Sequence, residues 1–296
     1  MTTRTPVTRA AIARHALSVA LQWRLLLLWT AAMLLPAALM AWPFWATLSG
    51  QLDKSIYAAQ WAQQLDAIAI ADLGAKLMDN APALMTGGVS ALLLTVLLTP
   101  LLNGAVVAAA RAPEPLHWVA LLQKGLQQYG RMLRIWIWGV LLLVAAGASA
   151  NGLFHLAGDY ADKVILESDA KLAGRAALAA SALLMLLVHL TLEAGRAQLA
   201  VYPGRTSAIK AWWRGCKTLK SHWLSMLGFY LGLTLVGLLG ALALTALRIA
   251  LPQLGAFWLL VGVVLAQAGI TAIGGMRIAR LTALVDIAQG QRENGK

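Results

Sequence analysis

Long apolar stretches alternate with polar ones six times along the 296-residue chain. They cover residues 25–48, 83–110, 135–157, 174–195, 223–247 and 254–276. Each holds about 20 or more mostly apolar residues, enough to cross ~30 Å of hydrocarbon at 1.5 Å per residue. The pattern predicts an all-α polytopic protein, a single integral membrane domain with six transmembrane helices. The first run is longer than the core of a secretory signal, lacks a convincing small-x-small cleavage site, and is preceded by Arg14 and Arg24. It therefore reads as an uncleaved helix bent near Pro36 and Pro43.

Between the apolar runs, shorter segments carry one-faced helical spacing. Val119, Leu122, Leu126, Tyr129 and Leu133 form one seam, and Ile209, Trp212, Cys216, Leu219 and Trp223 form another. Both follow the 3-4-3-4 rhythm of an amphipathic helix. Ile12, Ala16, Val19 and Trp23 continue the theme at the N-terminus. The three segments register without gaps, with Arg14, Lys124 and Arg214 at one shared offset. Pro or Gly precedes each of them (Pro6; Pro113 and Pro115; Pro203 and Gly204), as expected ahead of a helix start. The ends of the even spans also resemble one another, as Ala109-Ala110-Arg111, Ala194-Gly195-Arg196 and Gly275-Met276-Arg277. A unit of in-plane helix, span out and span back is thereby expected three times, over 1–112, 113–202 and 203–296. Ile278, Leu281, Val285 and Ala288 suggest one more amphipathic turn after the last span. The longest polar connection, 51–82, is expected to hold a helix or two striped with Tyr57, Trp61, Leu65, Ile68, Leu73 and Leu77, with Asp66, Asp72 and Asp79 on the wet side. It reads as a packed connector or as a lid.

Charge orients the predicted spans. Only six of the 24 Lys and Arg residues (Lys54, Lys76, Lys163, Lys171, Arg175 and Arg248) fall in the odd-numbered loops. The remainder occupy the N-terminus, the even loops and the tail. Lys and Arg collect in cytoplasmic loops, so both termini are expected on the cytoplasmic side. A formal charge of +12 spread over four juxtamembrane segments points to anionic inner-leaflet headgroups, with membrane lipids and other membrane or cytoplasmic proteins as partners, rather than to nucleic acid. Trp23, Trp136 and Trp223 mark inner ends and Trp42, Trp45 and Trp258 outer ends, while Trp29 and Trp138 lie deeper.

The stretches from Ala109 through Arg131 and from Glu193 through His222 each run from a span ending on Ala and Arg, across a Gly/Pro break, into an amphipathic helix and a further span. In this they resemble the membrane domain fused to some glycerophosphodiester phosphodiesterases, which also occurs alone in bacterial inner-membrane proteins. The resemblance covers most of the chain and implies a six-helix membrane protein. It transfers no catalytic residue, because no segment here is long or polar enough to hold the soluble phosphodiesterase domain.

Catalytic signatures such as a Walker loop, HExxH, GxSxG or a dinucleotide fingerprint do not occur. The expectation is a protein that is not an enzyme and takes no cofactor or metal. The lone Cys216 excludes an intramolecular disulfide. Polar residues inside spans are the default functional candidates, here Asn103, His189, Glu193 and Gln267. His189 and Glu193, four apart, make either a proton relay or a structural pair offsetting Arg196. Asn103 and Gln267 read as interhelical hydrogen-bond partners. His155, Asp159 and Asp162 make an incomplete cation site or a solvated helix end. Gly228-x-x-x-Gly232 fits a close helix approach. Arg14, Lys124, Arg214, Lys217, Trp212 and Trp213 are the candidate contacts to the inner leaflet or to a partner.

Three functions remain open. The first is an accessory or scaffold subunit of an envelope complex. The second is the membrane subunit of a transport system for a lipid-like or apolar substrate, with 209–223 as a docking helix. The third is an intramembrane lipid enzyme using His189 and Glu193 or His155 and Asp159. The expected topology is checked with a tag after Lys296: it is shielded in intact cells and labelled once they are opened, and labelling from outside would reverse the orientation.

Overall fold

The computed structural model describes residues 8–53, 55–56, 67–202, 204, 207–251 and 255–294. Among them the chain is all-helical: α1 (Arg9–Ala20), α2 (Trp23–Leu52), α3 (Ala67–Asp79), α4 (Ala81–Ala110), α5 (Trp118–Ala161), α6 (Glu167–Val201), α7 (Ala208–Ser221), α8 (Trp223–Ala250) and α9 (Ala256–Asn294). Helices α2, α4, α5, α6, α8 and α9 are long and apolar enough to cross a membrane. The chain is an integral, multi-pass membrane protein.

Local sequence sets the short elements. The Thr8 hydroxyl caps α1 by accepting from the Ala11 N–H at 3.3 Å, and Ser207 caps α7 through the Lys210 N–H at 3.4 Å. Extended backbone at Gln22 separates α1 from α2, and a break at His222 separates α7 from α8. The expected third break does not occur. Residues 119–133 and 135–157 run together in α5, a single helix of 44 residues, because nothing between Leu133 and Trp136 interrupts the helical hydrogen bonding. Likewise 278–288 continues α9 and is not a separate turn on the membrane surface. Ile278, Leu284 and Val285 are fully buried there.

The core sits at one end of the bundle, where the helix ends nearest both termini converge. It is assembled from the last turns of α4 and α6, residues 278–288 of α9, and α1, α5 and α7 packed around them. Away from this end Leu, Ile and Val side chains face outward on every span, as on a surface solvated by acyl chains. Lipid removes the usual hydrophobic drive between helices, so close backbone approach has to hold them. A Cβ added to Gly104 would lie 2.7 Å from the Gly125 carbonyl oxygen, and one on Gly215 would lie 2.6 Å from the Gly195 nitrogen. Helix α4 thus meets the foot of α5, and α6 meets α7, backbone to backbone. Helix α1 packs on the end of α9, joined by His15 Nδ1 and an Asp286 carboxylate oxygen at 2.8 Å.

These contacts shift the expected seams by one position. Over 119–133 of α5 the buried residues are Leu121, Gly125 and Met132, and in α7 they are Ala211, Gly215 and Thr218. Val119, Leu126 and Ile209 stay exposed. Only α1 buries its expected residues Ile12, Ala16 and Val19. The apolar stripes of α5 and α7 therefore lie beside the small-residue seam that packs, not on it.

Gly228 and Gly232 have nothing within 4 Å of where a Cβ would be, so their motif makes no helix contact. Trp29 finds its account here: it is buried, and a Cβ on Gly274 would meet its ring at 2.9 Å. In the connection 51–82, Leu73 and Leu77 are half-buried while Ile68, Ile70 and Met78 are exposed, and α3 neighbours α2 and α4. Tyr57, Trp61, Leu65 and Asp66 lie outside the described residues, as do Pro6, Lys54, Pro203 and Lys296.

Gly215→Val is expected to destabilise the protein by about 1–3 kcal/mol through overpacking. Gly228→Ala is expected to stay within about 0.5 kcal/mol of the parent. Thermal unfolding of both in the same detergent checks the difference.

Candidate functional site

Two polar constellations occupy the packed end. The inner one surrounds Glu193. The carboxylate is 8% exposed and accepts from Arg196 Nη1 at 3.2 Å, one turn along α6, and from Arg280 Nη2 at 3.0 Å, across on α9. Arg280 also donates through Nη1 to the Thr234 hydroxyl at 3.1 Å and lies 4.3 Å over the Tyr230 ring, both on α8. Three helices are thus tied through one carboxylate and one guanidinium. A single negative charge faces Arg196 and Arg280, with Arg277 near enough to act on it, so the cluster keeps a net positive charge, moderated by the Tyr230 ring. Breaking such a buried pair from one side leaves an uncompensated charge.

His189 stands at the rim of this cluster: it is exposed on α6, close enough to Glu193, Arg196 and Arg280 to feel their charge, but makes no hydrogen bond to Glu193, which pairs with Arg196. Arg280, Thr234 and Tyr230 were not singled out from the sequence. The available signal was an Arg three residues after Arg277 inside an unbroken apolar run.

The second constellation closes the end of α6. Its last residues, Leu199, Ala200 and Val201, are fully buried, so their carbonyls cannot turn to water. Arg131 on α5 donates to the carbonyls of Leu199 and, at 2.9 Å, Tyr202. Arg292 on α9 donates to Val201 O at 3.1 Å. Both cations stand at the negative end of the α6 dipole, where positive charge is favoured. Gln198 Nε2 donates to the Thr218 hydroxyl at 2.8 Å and fixes α7 alongside.

The remaining expected residues separate into groups. Arg214 and Lys217 line one cleft together with Arg292. Arg14 and Lys124 are exposed on α1 and α5, away from that cleft. Trp212 is half-buried, its ring edge-on to Trp138 with centroids 5.7 Å apart, whereas Trp213 is exposed. Asn103 lies in the core and Gln267 is half-buried, but neither side chain makes an interhelical hydrogen bond among the described residues. Side-chain bonds between helices come instead from pairs such as Thr30 and Thr271, 3.0 Å apart. His155, Asp159 and Asp162 are exposed, and no group of three metal-ligating side chains occurs among the described residues. Burial pushes the Cys216 thiol above its ordinary pKa, away from the reactive thiolate.

No protein-family model matches the chain, and no curated protein and no solved structure matches it.

Glu193→Gln is expected to cost about 3–5 kcal/mol, because two guanidiniums then lack their counter-charge. Adding Arg280→Met should recover part of that loss, and His189→Ala should leave stability unchanged. Unfolding in detergent, run as a double-mutant cycle, reads the coupling.

Proposed function

We propose that this protein is a non-catalytic accessory or scaffold component of an envelope complex, resident in a bacterial inner membrane with both termini in the cytoplasm. The observation that carries the reading is where the intramembrane charge goes. Glu193 is held by Arg196 and Arg280, and so closes a helix contact in place of facing a path for a solute. At the end bearing the termini the accessible polar chemistry is mostly basic, with Arg14, Lys124, Lys217 and Lys220 exposed, as suits an anchoring surface for lipid headgroups and partner proteins. The three close packings of α1 on α9, α5 on α4 and α7 on α6 favour descent from a threefold repeat of in-plane helix and hairpin. Exposed Trp213, between exposed Ile209 and Lys217 on α7, is the partner contact in this reading.

The alternative, a membrane subunit for transport of a lipid-like substrate, is favoured by one feature. An apolar cleft of about 230 Å³ lies between α8 and α9, lined by Ala241, Leu244, Leu265 and Ile273, with Arg248 at its edge.

Purification from membranes in mild detergent is expected to recover a stable partner at fixed stoichiometry, and Trp213→Ala is expected to weaken its retention at least several-fold. Recurrent recovery of an ATPase would favour the alternative. Lipid or solute flux catalysed by the purified chain alone in liposomes would refute the scaffold.

A further inference from the structure

The cleft between the end of α6, the second half of α7 and the last turns of α9 encloses about 270 Å³. Three cations line it, Arg214 and Lys217 from α7 and Arg292 from α9, and no carboxylate does among the described residues. The Arg214 and Arg292 guanidiniums lie 5.8 and 5.2 Å from the centroid of one ring, that of Tyr202. Like charges lining one cleft favour an anion among them. None of the three pairs with an acidic side chain among the described residues.

The walls are preorganised. The Gly195–Gly215 contact fixes α7 against α6. Gln291 Nε2 donates to the Ser221 hydroxyl at 2.6 Å and lies 2.7 Å from His222 Nδ1, which holds the end of α9 to the junction of α7 and α8. The wall hydroxyls are already committed: Ser221 donates to Thr218 O at 3.0 Å and Thr218 donates to Arg214 O at 3.0 Å. What faces the cleft as donors is therefore the cationic N–H set, which suits an acceptor-only anion with several oxygens. At 270 Å³ the space falls just below the ~300 Å³ at which pockets for drug-sized ligands begin. A phosphate group with a small substituent is of that scale.

Depth points the same way. Ser221 stands two residues before exposed Trp223, at the start of a spanning helix, the level where tryptophans meet headgroups. Gln291 lies about 16 Å along α9 from Arg280 and its buried cluster.

We propose that this cleft is a binding site for a phosphate group, carried either by the headgroup of an anionic phospholipid or by a small soluble phosphate. Arg214, Lys217 and Arg292 hold the anion, and the Tyr202 ring aligns the two guanidiniums. The inference rests on the chain being embedded in a membrane and is independent of the scaffold role.

The test uses the full chain, delipidated in neutral detergent, with thermal stability followed during titration with phosphatidylglycerol, with inorganic phosphate, and with chloride at matched ionic strength. Native mass spectrometry counts retained lipid. A saturable rise with phosphatidylglycerol and one retained lipid are expected. The Arg214→Gln, Lys217→Ala variant should bind at least tenfold more weakly. The Arg175→Gln, Lys163→Ala variant, with the same charge removed at exposed positions of the opposite end, should bind as the parent does. A rise with inorganic phosphate but not with lipid supports the site and assigns it to a soluble ligand. The proposal is overturned if neither stabilises more than chloride, or if the two variants weaken binding equally. Should the first variant not fold, Lys217→Glu, at an exposed position, replaces it with the same expectation.

Discussion

Everything in this structure hangs on how helices cohere where lipid surrounds them. Acyl chains solvate leucine as well as another helix does, so burying apolar area between spans gains little, and contact has to come from close backbone approach and polar pairing. The chain concentrates both at one end. Gly104 against Gly125 and Gly195 against Gly215 let backbones touch, and the arginines then reach across to carbonyls and to Glu193. The remainder of each span is left to the bilayer, which explains why so many large apolar side chains are exposed.

The same constraint accounts for the arginines. A helix end buried in protein beneath a membrane leaves carbonyls that water cannot reach, and α6 ends in such a place. Arg131 and Arg292 supply the donors from neighbouring helices. In doing so Arg292 is positioned beside Arg214, so the structural cap and the cationic cleft are consequences of one geometry. Charge that the sequence shows as a juxtamembrane excess is divided by the fold into a locked part, around Glu193, and an accessible part, around Lys217.

The six spans were legible because twenty apolar residues in a row have few other destinies, and the helix starts at Trp118 and Ala208 because Pro and Gly punctuate before them. Side choice on the short helices was not legible. Leu122 and Leu126 carry the hydrophobicity, but Gly125, with no side chain to contribute to any hydropathy pattern, makes the contact. In water the greasy stripe is the buried one. At a lipid boundary it is the stripe left facing the solvent, and seam and stripe part company by one residue. Glu193 was found because a carboxylate in an apolar run is conspicuous. Arg280 was missed because Ile278, Leu281 and Val285 around it fit a surface turn as well as a core. Gln267 and Asn103 drew notice by polarity alone, which says nothing of whether a partner faces them.

Helix α5 is the longest element that joins the packed foot of the bundle to its loose far side without a joint, over 44 residues or about 66 Å. Its neighbours change direction at Gln22 and His222, but α5 does not. Its foot is held against α4 at the Gly104–Gly125 crossing. A tilt of about 5° at that crossing sweeps Ala161 through roughly 5 Å on the opposite surface. A rigid helix of this length converts a small rotation at its foot into several ångströms at the opposite surface.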